Sequence, residues 1–153
     1  MLSEVSDLLE EAEVAHAAID LDCLSIMYPA QKPRGERLMF ANLAAIWPVY
    51  AAAGAKRLLV ARVVEDRSEL QQYREAVPGA EPIVCLLTAP IQTMQERVRI
   101  REPGMIQAKA VARAAELDRI LEHARAEDFT VDNGPGRSVT EVARDVLSHA
   151  GWL

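Results

Sequence analysis

Short apolar segments alternate with helical segments along most of the chain, and this alternation limits the fold more than any other feature. The strand-like segments are AHAAID, KRLLVARVV, PIVCLLT and FTVD. Three of these four segments are nearly all apolar, which is typical of parallel strands that are buried on both faces. The pattern predicts a single α/β domain over residues 1–153, a three-layer fold with helices on both faces of a parallel sheet.

The helical segments carry start and stop signals. The chain opens on an amphipathic helix, MLSEVSDLLEEAE, which has no strand before it. Pro48 predicts a kink or a new start inside the second helix. Ser68 with Gln71, and Ser138 with Glu141, predict capping boxes. Later helices are predicted over 37–55, 68–77, 88–101 and 107–126 and after residue 138, with the segment YPAQKPRGE as a loop.

Composition excludes several classes of function. The net charge of -6 gives no basic face for nucleic acid. No apolar run is long enough to span a bilayer, and the acidic first segment is not a signal peptide. Cys23 and Cys85 lack CxxC spacing, so we expect reduced thiols, no zinc site and a cytoplasmic protein.

Two carboxylates, Asp20 and Asp22, end the first predicted strand. Ligands of parallel sheets bind beyond the carboxyl ends of the strands, and a carboxylate pair suits Mg²⁺ or a substrate hydroxyl. The alternative is structural, with Asp20 ending the strand and Asp22 capping the next short helix.

Two further segments suggest anion binding. Arg97 and Arg101 in ERVRIRE are four residues apart and share a helix face, so they could clamp phosphate oxygens. The alternative is a solvated helix end with weak Glu–Arg pairs. The glycine-bearing segment VDNGPGRSV could take an anion at a helix N-terminus, or could be only a tight connection.

In their order, these segments resemble the P-loop small-molecule kinases, most closely the adenylylsulfate-kinase-like and gluconate- or shikimate-kinase-like branch. The resemblance rests on HAAIDLDCL, NLAAIW, AAAGAKRLLVARVV, VCLLTAP, ERVRIRE and VDNGPGRSVTEVARDVL. It implies a P-loop NTPase-like fold and an ATP-dependent phosphotransferase that uses Mg-ATP. The small-molecule acceptor is not identified by any segment.

On the acceptor side, the resemblance implies four roles. Asp20 would help to order Mg²⁺, and Asp22 would hold the acceptor hydroxyl and take its proton. Arg62 would face the acceptor, and Asn42 would line the same pocket.

On the nucleotide side, the resemblance implies that Arg97 and Arg101 neutralise the charge of the phosphoryl group in transfer. This chemistry depends mainly on positioning and electrostatics. Asn133, Gly134 and Arg137 would form the rim around the adenine, with Arg137 stacked on the base.

The chain departs from this family in one large respect. Family members begin with a strand and a GxxxxGK[ST] loop, and no such string occurs here, since Lys32, Lys56 and Lys109 lack the glycines. The central strand, expected between the DxD strand and its neighbours, is missing as well. The chain would be either an incomplete version of a longer kinase or a non-catalytic remnant. Both explanations predict a poor kinase without tight Mg-ATP binding.

Two other classes of function remain open. A haloacid-dehalogenase-type phosphatase would use Asp20 as nucleophile and Asp22 as acid/base. Such enzymes also carry a later lysine and an acidic pair. In this chain only Asp132 corresponds to one of these residues. A partner-binding module would use the sheet edge left by the missing strand, through which the chain could also self-associate.

Overall fold

The computed structural model describes residues 1–28 and 34–153, so most of the predicted loop YPAQKPRGE, with Lys32, lies outside the described residues. The chain alternates helices and strands in the predicted order. The strands are β1 (His16–Asp20), β2 (Arg57–Ala61), β3 (Cys85–Thr88) and β4 (Phe129–Asp132). The helices are α1 (Leu2–Glu11), α2 (Arg34–Ala52), α3 (Leu70–Ala76), α4 (Ile91–Arg101), α5 (Gln107–Ala124) and α6 (Val139–His149).

The strands form two separate parallel pairs rather than one sheet. β1 pairs with β2, from His16 beside Arg57 to Asp20 beside Ala61, and β3 pairs with β4. The prediction of an α/β chain with parallel strands is therefore confirmed. The predicted place of the missing strand is wrong, because the DxD strand β1 contacts β2 directly. The break lies on the other side of β2, between β2 and β3.

The strands are shorter than their apolar segments. A strand exists only as far as its partner continues, and β1 stops where a 3₁₀ turn begins at Leu21. The segment after Ala61 therefore leaves the ladder, although Val63 and Val64 continue the apolar run. Likewise, β3 begins only at Cys85, opposite the start of β4.

Side-chain capping boxes precede α3 and α6, and one of the two predicted boxes is wrong. The capping box before α3 is formed by Asp66 and Glu69, whereas Ser68 and Gln71 were predicted. The segment DRSE satisfies the same rule two residues earlier, and aspartate is as good a cap as serine. The Ser138–Glu141 box is confirmed.

Helix α2 continues through Pro48 without a break, so the predicted kink or restart is not needed to describe it. Proline removes one backbone donor from a helix. Packing offsets this loss, since Leu43, Ile46 and Trp47, in the turns before Pro48, contact the core. Among the described helices, none is long and apolar enough to cross a membrane.

Two apolar clusters cover the two faces of the β1–β2 sheet. Leu58 and Val60 of β2 pack with the cluster of α2 and α3, while Leu59 packs with the cluster of α1 and α6. This alternation follows from the two-residue period of a strand. Helices therefore lie on both faces of this sheet.

Helices α4 and α5 form a hairpin with little burial. They pack against each other, and neither contains a buried residue. Ile100, Met105 and Ile106 at the tip of the hairpin are exposed, and Gln107 donates a hydrogen bond to the Arg99 carbonyl at 2.9 Å. The hairpin is held by its own contacts more than by the core.

Polar contacts brace the β1–β2 half against the β3–β4 half. The Arg67 guanidinium donates to the Ala126 carbonyl at 2.8 Å and to Asp128 Oδ1 at 2.6 Å. Asp128 Oδ2 also accepts from the backbone N–H of Val84 at 2.9 Å. The hydrogen bond from Arg67, and to a smaller extent the one from the Val84 N–H, lowers the pKa of the Asp128 carboxyl below its ordinary 3.8.

We expect Asp128→Asn to weaken the dependence of stability on acid pH. A carboxyl whose pKa is lowered in the folded state makes its full contribution to the free energy of unfolding when the pH is above its unfolded-state pKa. This contribution is lost as the pH falls through the folded-state pKa. Wild-type unfolding free energy should therefore be steady above about pH 5 and decline below 3.8. Urea unfolding at pH 7 and pH 3 should show a smaller difference for the variant, and an identical difference would refute the prediction. A residual decline should stay in both proteins, because the pKa values of Asp66 and Glu141 are also lowered.

Candidate functional site

The amino ends of both strand pairs lie beside the end of α6. Arg57, the first residue of β2, donates to the Trp152 carbonyl at 3.2 Å and lies 5.1 Å from that ring. Phe129, the first residue of β4, stacks on His149 at 5.4 Å. Because His149 and Trp152 both lie at the end of α6, the amino ends of both pairs are adjacent. The polar residues that follow the strands form two groups, Asp22 with Arg62 and Arg97 with Asn133.

Asp20 caps the turn that follows β1. Its Oδ1 accepts the backbone N–H of Asp22 at 3.1 Å. The structural alternative predicted that Asp22 caps this turn. A carboxylate cap is present, but Asp20 forms it. The cap holds one carboxylate oxygen of Asp20 against its own backbone, so that oxygen is engaged before any metal or substrate arrives.

Asp22 and Arg62 are brought together, as the resemblance implies. The Asp22 carboxylate is 73% exposed and lies 3.5 Å from Arg62 Nη1. The Arg62 side chain is only 16% exposed and also lies 3.9 Å from Glu69 Oε2 and 3.0 Å from Met39 Sδ. The result is an open carboxylate over a largely buried guanidinium, an arrangement that can orient a hydroxyl.

Asn42 links α2 to the turn after β1, and its place in an acceptor pocket stays a prediction. Its Nδ2 donates to the Leu24 carbonyl at 2.8 Å, which ties α2 to the turn after β1. The side-chain amide therefore supports the loop that carries Asp22, and one of its two N–H donors is used for this purpose.

Sequence reasoning missed Glu69 and Tyr73 beside Arg62. Glu69 Oε1 accepts the backbone N–H groups of Glu65 and Asp66. The Tyr73 hydroxyl is buried and finds no hydrogen-bond partner in residues 1–28 and 34–153. Burial raises the pKa of Tyr73 to about 12, although the positive charge of Arg62 acts in the opposite direction. The only sequence signal was the position of Tyr73 three residues after the apolar Leu70.

Tyr73→Phe should leave stability unchanged or raise the free energy of unfolding by about 1 kcal/mol. An unpaired buried hydroxyl carries a desolvation cost that phenylalanine removes while keeping the ring contact with Phe40 at 4.9 Å. Urea denaturation measures the change, and Tyr28→Phe at an exposed site is the matched control, expected to be silent. A loss above about 1 kcal/mol would mean that the hydroxyl is bonded.

Arg97 and Arg101 do not form a joint clamp. Arg97 Nη1 donates to the Asn133 carbonyl at 2.8 Å and so connects α4 to the loop after β4. Arg101 Nε donates to Glu102 Oε1 at 3.0 Å from an exposed position. The solvated alternative therefore describes Arg101, whereas Arg97 and the expected nucleotide residue Asn133 do lie together.

Gly134 and Arg137 shape the same loop. Asp132 Oδ1 accepts the Gly134 N–H at 3.0 Å, and a Cβ at Gly134 would lie 3.0 Å from that oxygen. Arg137 donates to the Asp132 carbonyl at 2.8 Å and to Asp145 Oδ2 at 2.7 Å, and the latter bond raises the pKa of Arg137. These contacts match a tight strand-to-helix connection.

The residues present do not fit Mg-ATP. In the described part of the chain, no three His, Cys, Asp or Glu side chains could together hold a metal ion. Arg97 and Arg137 each donate to a backbone carbonyl, and Asp20 is a cap. We therefore derive no chemical step through a nucleotide.

A cavity of about 740 Å³ separates β2 from β3, and we call it the β2–β3 slot. Its walls include residues 56–64 and 80–87, together with Met1, Leu2, Tyr73 and Trp152. Arg62 and Tyr73 line the slot and also lie in the Asp22 group, so this group borders the slot. No known protein-family model matches this chain, and no curated protein matches it either.

Proposed function

We propose that this chain is a P-loop-kinase-like phosphotransferase domain that carries the acceptor-binding part of the site and lacks the phosphate-binding loop. The observation that supports it is the placement of Asp22 with Arg62 after the paired strands β1 and β2, and of Arg97 with Asn133 after β4. Arg62 also lines the β2–β3 slot. The acceptor would be a small alcohol, and the location cytoplasmic, where the free Cys23 and Cys85 stay reduced.

In this proposal Asp22 orients the acceptor hydroxyl. Its carboxylate is exposed, and Arg62 fixes its position from below through the 3.5 Å contact. The largely buried guanidinium also provides positive charge next to the slot. The missing element is a cradle of backbone N–H groups and a lysine. A P-loop supplies several charge-assisted hydrogen bonds, each worth about 1.5–3 kcal/mol.

The test compares Mg-ATP binding by the chain with binding by an extended chain. The extension places an apolar strand and a GxxxxGKT loop directly before Met1. We expect no binding tighter than about 1 mM for the chain itself, and a dissociation constant on the order of 10–100 µM for the extended chain. Isothermal titration calorimetry measures both values.

The matched control changes the lysine of the added loop to alanine, which should abolish the gain. An extended chain that folds but does not bind Mg-ATP better than the chain itself would overturn the proposed function.

A further inference from the structure

We propose that the tip of the α4–α5 hairpin docks on the surface of an anionic lipid bilayer. The hairpin tip comprises residues 99–109, and it would place Ile100, Met105 and Ile106 among the lipid headgroups. The proposal concerns an interaction surface. It stands independently of phosphoryl transfer, because residues 99–109 do not line the β2–β3 slot.

Three large apolar side chains of the hairpin tip are in water. Ile100 is 83% exposed, Met105 is fully exposed, and Ile106 is 57% exposed. Single exposed apolar residues are ordinary on a protein surface. Apolar side chains grouped at one place instead mark a site that contacts another apolar phase.

Hydrogen bonds hold these side chains at one end of the hairpin. The Gln107 side-chain amide donates to the Arg99 carbonyl at 2.9 Å, and the Gln107 backbone N–H donates to the Gly104 carbonyl at 3.1 Å. These bonds close the turn between α4 and α5. Ile100 therefore lies at the same end as Met105 and Ile106, so that the three can enter one surface together.

The hairpin tip is also locally basic. Residues 97–109 contain four basic residues and one acidic residue, a net charge of +3, in a chain whose net charge is -6. Arg99 and Lys109 are exposed, and Arg101 is 75% exposed beside Glu102. Basic side chains next to inserted apolar ones are the combination by which a peripheral segment binds anionic headgroups. Charge complementarity therefore favours an anionic bilayer over a neutral one.

Two contacts tie the hairpin to the rest of the domain, and the tip lies beyond both. Arg97 of α4 donates to the Asn133 carbonyl at 2.8 Å, and Arg113 of α5 donates to Glu65 Oε1. Residues 99–109 lie between these two arginines and form the free end of the hairpin. Exposed charges are largely screened beyond about 8 Å at physiological ionic strength, so the acidic remainder of the chain acts weakly on lipid at the tip.

The experiment measures cosedimentation of the full chain with large unilamellar vesicles. One set contains phosphatidylcholine alone, and the other also contains about 30% phosphatidylserine, which supplies the negative surface potential. We expect the partition coefficient to be about tenfold or more higher for the anionic vesicles at 0.1 M salt, and to fall steeply at about 1 M salt, where screening is nearly complete.

Two double variants separate the apolar and the electrostatic contributions. Ile100→Ser with Met105→Ser removes apolar area, and Arg99→Gln with Lys109→Gln removes two charges. Each should lower partitioning to anionic vesicles about tenfold or more. The matched control, Val49→Ser with Leu153→Ser, changes exposed apolar residues elsewhere and should bind like wild type. Urea unfolding should show all three double variants to be folded.

Three results would overturn the proposal. One is a chain that sediments with neither kind of vesicle. Another is equal partitioning into both kinds, and the third is a folded tip variant that binds anionic vesicles as wild type does. If the chain binds an acidic apolar peptide through its tip but binds no vesicle, the partner is a protein and the bilayer proposal is rejected.

Discussion

Replacing Leu9 with alanine is expected to lower the free energy of unfolding by about 3 kcal/mol. Leu9 is fully inaccessible to solvent and packs with Val5, Ala143 and Leu147. These residues join α1 to α6 and close one face of the β1–β2 sheet. The substitution removes three carbons from a closely packed contact, and the cavity left behind adds to the lost transfer free energy.

Urea unfolding at neutral pH measures the loss, with Leu153→Ala as the matched control. Leu153 is exposed, so the same chemical change should cost less than about 0.5 kcal/mol there. A loss below about 1 kcal/mol for Leu9→Ala would mean that the α1–α6 contact does not contribute to the cooperative core.

Replacing Arg62 with methionine is expected to cost about 2–3 kcal/mol. Methionine keeps most of the volume beside Met39 but removes the charge between Asp22 and Glu69. The Glu69 carboxylate is itself only 15% exposed, and it would lose its cationic neighbour. Removing one partner of a buried pair is costly because the other charge remains desolvated.

A second substitution separates this cause from lost packing. Adding Glu69→Gln to Arg62→Met should recover about 1 kcal/mol or more, because a neutral amide tolerates burial better and can still accept the backbone N–H groups. Arg62→Lys retains the charge and should lie between wild type and Arg62→Met. If the double variant is no more stable than Arg62→Met, the charge explanation fails.

The order of elements and the first half of the candidate site could be predicted from sequence. Apolar runs and helical periods are local signals, and the structure has the helices and parallel strands in that order. The resemblance implied that Asp22 and Arg62 share the acceptor side, and they lie 3.5 Å apart just after the paired strands β1 and β2. Strand-end positions are thus informative when the strands pair.

Other features depend on competition between near-equivalent partners, which sequence cannot rank. Asp66 and Ser68 both fit the pattern of a helix cap, and Asp66 forms the cap. Arg97 could contact an anion or a carbonyl, and it donates to the Asn133 carbonyl. The break between β2 and β3 was misplaced because apolar strands carry no local record of which neighbour they pair with.

The shallow packing of the α4–α5 hairpin has a consequence for its motions. A segment that buries little apolar surface opens at a small fraction of the global free energy. Amide hydrogens in this hairpin should therefore exchange with deuterium well before those of α1 or α6, through excursions that leave the remaining fold intact. Such a gradient would let residues 91–124 open and close while the two apolar clusters stay folded.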